Sequence, residues 1–142
     1  MGILSDVFIA LPDQITMEVL AHGPMGRLEA VEGKGLFPSS VLELWQIIDP
    51  SKESPSRRLE LLDIAREQGD HIIYLIPGPV VSAIAFADND RIREIEVAWL
   101  YRGTPPPPDP LDGILKDWFE EFIRLLKRAH RRGLNAYVWL CP

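Results

Sequence analysis

The last thirty residues constrain the fold most, because they combine a long amphipathic segment, a glycine and an apolar run. Apolar side chains recur every three or four positions up to Arg132, which predicts a helix with one buried face. Gly133 suits the left-handed position that ends a helix, with Leu134 placed for the accompanying apolar contact. Residues 136–140 are all apolar, with aromatic and β-branched side chains at 137–139, which predicts a strand covered on each side. The apolar positions of the helix are Leu115, Trp118, Phe119, Phe122, Leu126 and Ala129.

A proline run separates this segment from the rest of the chain. Five prolines fall between residues 105 and 110, where missing backbone donors favour an extended form, so residues 104–110 are predicted to be a semi-rigid spacer. Asp109 and Pro110 suit the cap and first position of the helix that follows. Residues 1–112 contain nine basic and eighteen acidic residues (−9) and residues 113–142 contain six and three (+3), which sum to the net charge of −6. We therefore expect the C-terminal segment to dock electrostatically on an acidic body.

Two helices are predicted in the middle of the chain. The first begins at Ser40, which has capping-box spacing to Glu43, and it ends before Pro50. The second begins with the Ser-Pro pair at 54–55 and ends at Gly69. Its apolar stripe consists of Leu59, Leu62 and Ala65.

Short apolar runs bounded by turn residues predict strands at 6–11 and 71–76. The stretch 79–101 fits two interpretations, because its apolar residues match both a hairpin through 88–90 and a pair of short helices. The segment is rich in Ala, Arg and Glu and contains no Thr. This composition favours the two helices.

Length and composition indicate one compact α+β domain over residues 1–142, with a small sheet packed against several helices. A chain of this size buries roughly two thirds of its unfolded surface, so it needs no disulfide or structural metal. Cys141 is the only cysteine, which excludes multi-cysteine metal sites and fits a reducing cytoplasm. The negative charge argues against nucleic-acid binding, and no apolar stretch approaches the ~20 residues that span a bilayer. We expect a cytoplasmic protein.

Four stretches share their pattern with a known group of proteins: MGILSDVFIALPD, VEGKGLFPSSVLELWQI, VVSAIAFADNDRIREIEVAW and RLLKRAHRRGLNAYVWLCP. They resemble a family of small uncharacterised bacterial proteins and, more distantly, the YfbM-like proteins. The matching elements are the Lys-Gly-aliphatic-x-Pro motif at 34–38, Trp99, and the final helix with Gly133 and Trp139. The resemblance covers most of the chain apart from about 50–70 and 102–112. It implies an α+β fold and supplies neither an activity nor a catalytic residue.

The segment Gly33-Lys34-Gly35 is a candidate binding loop. A phosphate-binding Walker motif would require Gly in place of Leu28 and Ser or Thr in place of Gly35, so that interpretation fails. Two glycines still leave backbone donors accessible, and Lys34 with Glu32 could bind a small anion or act as an acid/base pair. The simpler structural interpretation is a turn before a helix.

Metal and nucleophile patterns are weak. His22, His71, His130 and Cys141 are scattered singly, without the spacing of a zinc site. Cys141 falls on an apolar strand, where burial would disfavour the reactive thiolate. His71 opens a predicted strand beside Asp70 and is the histidine best placed for a functional role. No catalytic residue, metal or cofactor is predicted.

Three further patterns bear on binding. The basic cluster at 127–132 lies in the last turns of the best helix, where positive charge offsets the helix dipole. The PxxP spacing at 105–108 matches the geometry that SH3-type grooves bind, but no basic residue adjoins it and acidic residues follow it, so a spacer is the favoured interpretation. Trp99, close to Tyr101 and the proline run, could line an aromatic groove. The tryptophans assigned to the core are Trp45, Trp118 and Trp139.

These observations favour a non-catalytic binding or regulatory module that acts through contacts with a protein partner or a second copy of the chain. The alternative is a small enzyme or a binder of an anionic small ligand. Its site would be formed by Glu32, Lys34 and Gly35, with His71 and Trp99 converging from elsewhere. A concave pocket holding several of these side chains favours the alternative, whereas a flat apolar patch favours the first hypothesis.

Overall fold

The computed structural model describes residues 4–33, 38–50, 63–103 and 112–141. Five antiparallel strands form one sheet in the order β2-β1-β5-β4-β3, so the last strand of the chain lies at its centre. The strands are β1 (Leu4–Ala10), β2 (Glu29–Glu32), β3 (Ile64–Gln68), β4 (His71–Leu75) and β5 (Asn135–Cys141). The helices are α1 (Met17–His22), α2 (Pro38–Ile48), α3 (Gly78–Phe86), α4 (Asn89–Leu100) and α5 (Asp112–Arg132), and a 3-10 turn lies at Pro12–Gln14. The α+β prediction, with a long helix before a terminal strand, is confirmed.

Alternate side chains of the central strands enter two separate cores, as the two-residue period of a strand requires. Val7 and Val138 pack against α2, α3, α4 and α5 on the side that we call the helical face. Phe8 and Tyr137 pack against α1 and Ile15, the residue after the 3-10 turn, on the side that we call the α1 face. The residues of β5 therefore contribute to both cores, which explains why its sequence is apolar on both sides.

Aromatic side chains join α4 and α5 on the helical face. The rings of Trp118 and Phe122 stack with centroids 5.3 Å apart, and Trp99 lies 5.4 Å from Phe122 and 6.0 Å from Trp118. Trp99 Nε1 donates a hydrogen bond to the carbonyl of Ser40 at 3.0 Å, and Trp118 Nε1 donates to the carbonyl of Glu32. The cluster buries large apolar area without leaving either indole N–H unpaired.

The end of α5 is a glycine cap, as predicted. Gly133 has a φ of +69°. The amide of Leu134 donates to the carbonyl of Ala129 at 2.8 Å, and that of Gly133 to the carbonyl of His130 at 3.3 Å. This pair of bonds is the Schellman motif. The predicted spacer at 104–110, which includes the proposed helix cap, lies outside the described residues.

The predicted helix that ends at Gly69 is wrong over its last residues, and its start at 54–55 lies outside the described residues. Residues 64–68 form β3, and Gln68 pairs with His71 across a two-residue turn. Gly69 has a φ of +61° in that turn. A glycine in this conformation serves a tight hairpin as well as a helix end, so the same residue fitted both structures.

The stretch 79–101 contains two helices and no hairpin, so the prediction of two short helices is confirmed. Asp88 caps α4, because its side chain accepts a hydrogen bond from the amide of Arg91 at 2.8 Å. The predicted capping box of α2 is wrong, since the helix begins at Pro38 and Ser40 lies in its first turn. Within the described residues, no helix is both long and apolar enough to cross a membrane.

Candidate functional site

A groove of about 680 Å³ lies between α2 and the C-terminal end of α4, a volume within the range of about 300–1,000 Å³ that ligand sites occupy. Its lining positions on α2 recur at three- and four-residue spacing, so they form one face of that helix. The apolar part of the lining consists of Leu42, Ile47, Ala98 and Trp99. The polar part consists of Ser39, Glu43, Gln46 and Arg102.

Two hydrogen bonds hold the walls of the groove in place. Trp99 donates to the carbonyl of Ser40 near the start of α2, and Arg91 Nη2 donates to the carbonyl of Ile47 near its end, at 3.2 Å. The two bonds join α2 and α4 in antiparallel orientation. Trp99 is also anchored from behind by the aromatic cluster and is only 8% exposed. The groove is therefore preformed, which lowers the ordering cost of binding.

Arg102 stands at the mouth of the groove in a strained conformation. Its φ is +52°, the only positive value of a non-glycine residue in the described part of the chain. A side chain in the left-handed region costs roughly 1–2 kcal/mol, which is why glycine usually occupies this position after a helix. Such strain tends to persist where function requires it. Here the strained residue is the cation of the groove lining, and Glu43 on α2 is the anion.

The structure does not bring together the three predicted site residues that it describes. Trp99 belongs to the helical-face core and lines the groove. His71 lies on the α1 face, where its ring centroid is 6.5 Å from that of Trp139. Glu32 ends β2 at the sheet edge. Lys34 and Gly35 lie outside the described residues.

Glu32 faces Asp6 across the β1–β2 pair. Burial raises the pKa of Asp6, and the charge of Glu32 raises it further. Beside Glu32, a cavity of about 400 Å³ is lined by two more carboxylates, Asp117 and Glu121. The charged side chains that line this cavity among the described residues are therefore all acidic and disfavour an anion there. The anion-binding loop stays a prediction, since its lysine is not among them.

The basic cluster at 127–132 contacts the acidic part of the chain. Arg128 pairs with Glu29 of β2 at 2.6 Å, and Arg132 lies 3.9 Å from the same carboxylate. These exposed pairs orient α5 on β2 and contribute little to stability. The described residues contain no group of three or more His, Cys, Asp or Glu side chains that could hold a metal ion.

No protein-family model matches the chain, and no curated protein or solved structure matches it either. The resemblance to the small bacterial family stays a prediction that rests on the sequence stretches quoted for it. The groove is therefore the feature from which a function can be inferred.

The sequence contains only a partial signal for this groove. Trp99 was predicted to line an aromatic groove. Glu43 and Gln46 have the helical spacing of an ordinary solvated face, so nothing in the pattern distinguishes them as site residues. Arg102 precedes Gly103, and a basic residue beside a glycine is typical of any helix end.

Proposed function

We propose that the protein is a non-catalytic binding module that receives a short segment of a partner protein in the groove between α2 and α4. The proposal rests on the conformation of Arg102, which has a positive φ at the mouth of the groove. The groove is preformed, and Trp99 forms part of its wall. An apolar floor with a polar rim is the usual anatomy of a protein interface. Tryptophan and arginine are the residue types that most often dominate binding energy in such interfaces.

The lining defines the chemistry of the segment. An apolar side chain fits against Leu42, Ala98 and Trp99. A carboxylate fits Arg102, whose guanidinium can pair with both of its oxygens. The groove is open to solvent rather than enclosed, which suits a side-chain-bearing segment better than a metabolite that must be largely buried.

Selection of random displayed peptides on the native protein tests the proposal. We expect the enriched peptides to share an apolar residue and an acidic residue. Ala98→Arg fills the groove and should abolish binding. Arg102→Glu should weaken binding at least tenfold, or ~1.4 kcal/mol. Arg93→Glu makes the same charge change on an exposed position of α4 outside the groove lining, and it should leave affinity unchanged.

Equal affinity of the selected peptides for native and Ala98→Arg protein would place their site elsewhere. The other informative outcome is that no peptide is enriched, but small amphipathic carboxylates stabilise the native protein and not the Arg102→Glu variant. In that case the groove binds a small anionic ligand rather than a segment of a partner protein. Thermal melts with each compound distinguish these outcomes, because ligand binding stabilises only the protein that binds it.

A further inference from the structure

Cys141 and His71 form a close pair at one end of the sheet, away from the groove. β4 and β5 run antiparallel with Ile72 opposite Leu140, so the next register position places His71 opposite Cys141. The Nε2 atom of His71 lies 3.1 Å from the Sγ atom of Cys141. In the tautomer that carries its proton on Nδ1, His71 accepts the hydrogen of the thiol. The two residues are 70 positions apart, so sequence spacing gave no sign of their contact.

The pair is accessible and has space beside it. Cys141 and His71 are both half-buried rather than sealed in the core. A cavity of about 250 Å³ adjoins the imidazole, lined by Leu20, Ala21, Gln68 and His71. The open space therefore lies on the imidazole side of the pair, beside α1. A nucleophile within hydrogen-bond reach of a base is the arrangement that activates thiols.

We propose that Cys141 is a reactive thiol that exchanges with small disulfides, with His71 as its base. Sγ attacks one sulfur of the disulfide while the thiol proton passes to Nε2 of His71. The Sγ–S bond forms as the S–S bond of the small molecule breaks, and the departing thiolate takes the proton back from His71. Cys141 is thereby oxidised to a mixed disulfide, and the departing sulfur is reduced to a thiol.

The reaction of the full chain with an aromatic disulfide tests this proposal, because its departing aromatic thiol loses its proton to solvent at neutral pH and absorbs visible light as the thiolate. Because Cys141 is the only cysteine, the absorbance reports on that residue alone, and mass spectrometry should show one adduct per chain. We expect the native protein to react about tenfold or more faster than the same protein unfolded in urea. His71→Asn should remove that advantage. His22→Asn, which changes an exposed histidine on α1, should retain it.

A native rate no higher than that of the unfolded chain would overturn the proposal, and this comparison requires no variant. An unchanged rate in His71→Asn would overturn it as well, because the base would then have no part in the reaction. Partial recovery of the His71→Ala rate by added free imidazole is the result expected of a missing base. If His71→Ala slowed the reaction only by disturbing the local structure, added imidazole would not restore the rate.

Discussion

The two faces of the sheet differ in the size of their apolar cores and in the length of the helices that cover them. On the helical face the apolar core runs without interruption from β1 through α5 to Trp99 of α4. On the α1 face a helix of six residues covers a smaller core, and polar groups lie at one end of the sheet. These groups are Asp6, Glu32, His71 and Cys141. The comparison indicates that the helical face contributes most of the stability. These titratable side chains lie on the α1 face, which only a short helix covers.

Removal of the C-terminal segment should have the largest effect, because it affects both faces together. A chain that ends at residue 104 lacks α5 and β5, and β5 pairs with both β1 and β4. We expect this fragment to show no cooperative thermal transition by circular dichroism. A cooperative melt would mean that one face folds without the other.

Truncation of one phenylalanine on each face measures the difference directly. Phe122→Ala on the helical face should cost about 3–5 kcal/mol of unfolding free energy. Phe8→Ala on the α1 face removes an equally buried ring, but it should cost less, because short α1 can move into the space. Urea denaturation of both variants provides the values. Equal costs would show that the two faces are equally rigid.

Trp139→Phe tests how α1 is held. Trp139 Nε1 donates to the carbonyl of Leu20 at 2.7 Å in a buried position. Loss of the donor leaves that carbonyl unsatisfied, so we expect a cost of about 1–3 kcal/mol. Hydrogen exchange should accelerate in α1 more than in α5. Unchanged exchange in α1 would show that this bond does not fix the helix.

Asp6→Asn should have a smaller effect, and its sign depends on pH. The ordinary pKa of 3.8 is raised in the folded state, first by burial and then by Glu32. The folded protein therefore binds the proton more tightly than the unfolded chain, and stability falls as pH rises from about 4 through the folded pKa. Asp6→Asn should be more stable than the native protein near pH 7, and the gap should close below about pH 4. Thermal melts at both pH values check this, and a gap independent of pH would contradict it.

The parts of the fold that sequence predicted are those whose local and tertiary preferences agree. The amphipathic pattern of α5 fits only a helix, and the apolar residues of β5 fit only a buried strand. β3 has the sequence Ile-Ala-Arg-Glu-Gln, in which four of the five residues favour a helix. Its pairing with β4 overrides that preference. β2 has only four residues with Glu29 and Glu32 at its ends, so no strand signal was visible.

The candidate sites were less predictable, because each depends on contacts between distant elements. Trp99 could be selected from its aromatic surroundings, but Glu43 and Arg102 resemble ordinary surface charges until α2 and α4 are placed side by side. The pairing of His71 with Cys141 depends on strand register, and the sequence does not specify which strands are neighbours.

Arg102→Gly tests the claim that strain at the groove serves binding. Relief of the left-handed conformation should regain roughly 1–2 kcal/mol, and the greater freedom of glycine in the unfolded chain should offset about 0.4–1 kcal/mol of that gain. We expect a net stabilisation of at most about 1.6 kcal/mol, together with at least a tenfold loss of affinity for the peptides selected on the native groove. A variant that binds those peptides as tightly as the native protein would contradict it, whatever its stability.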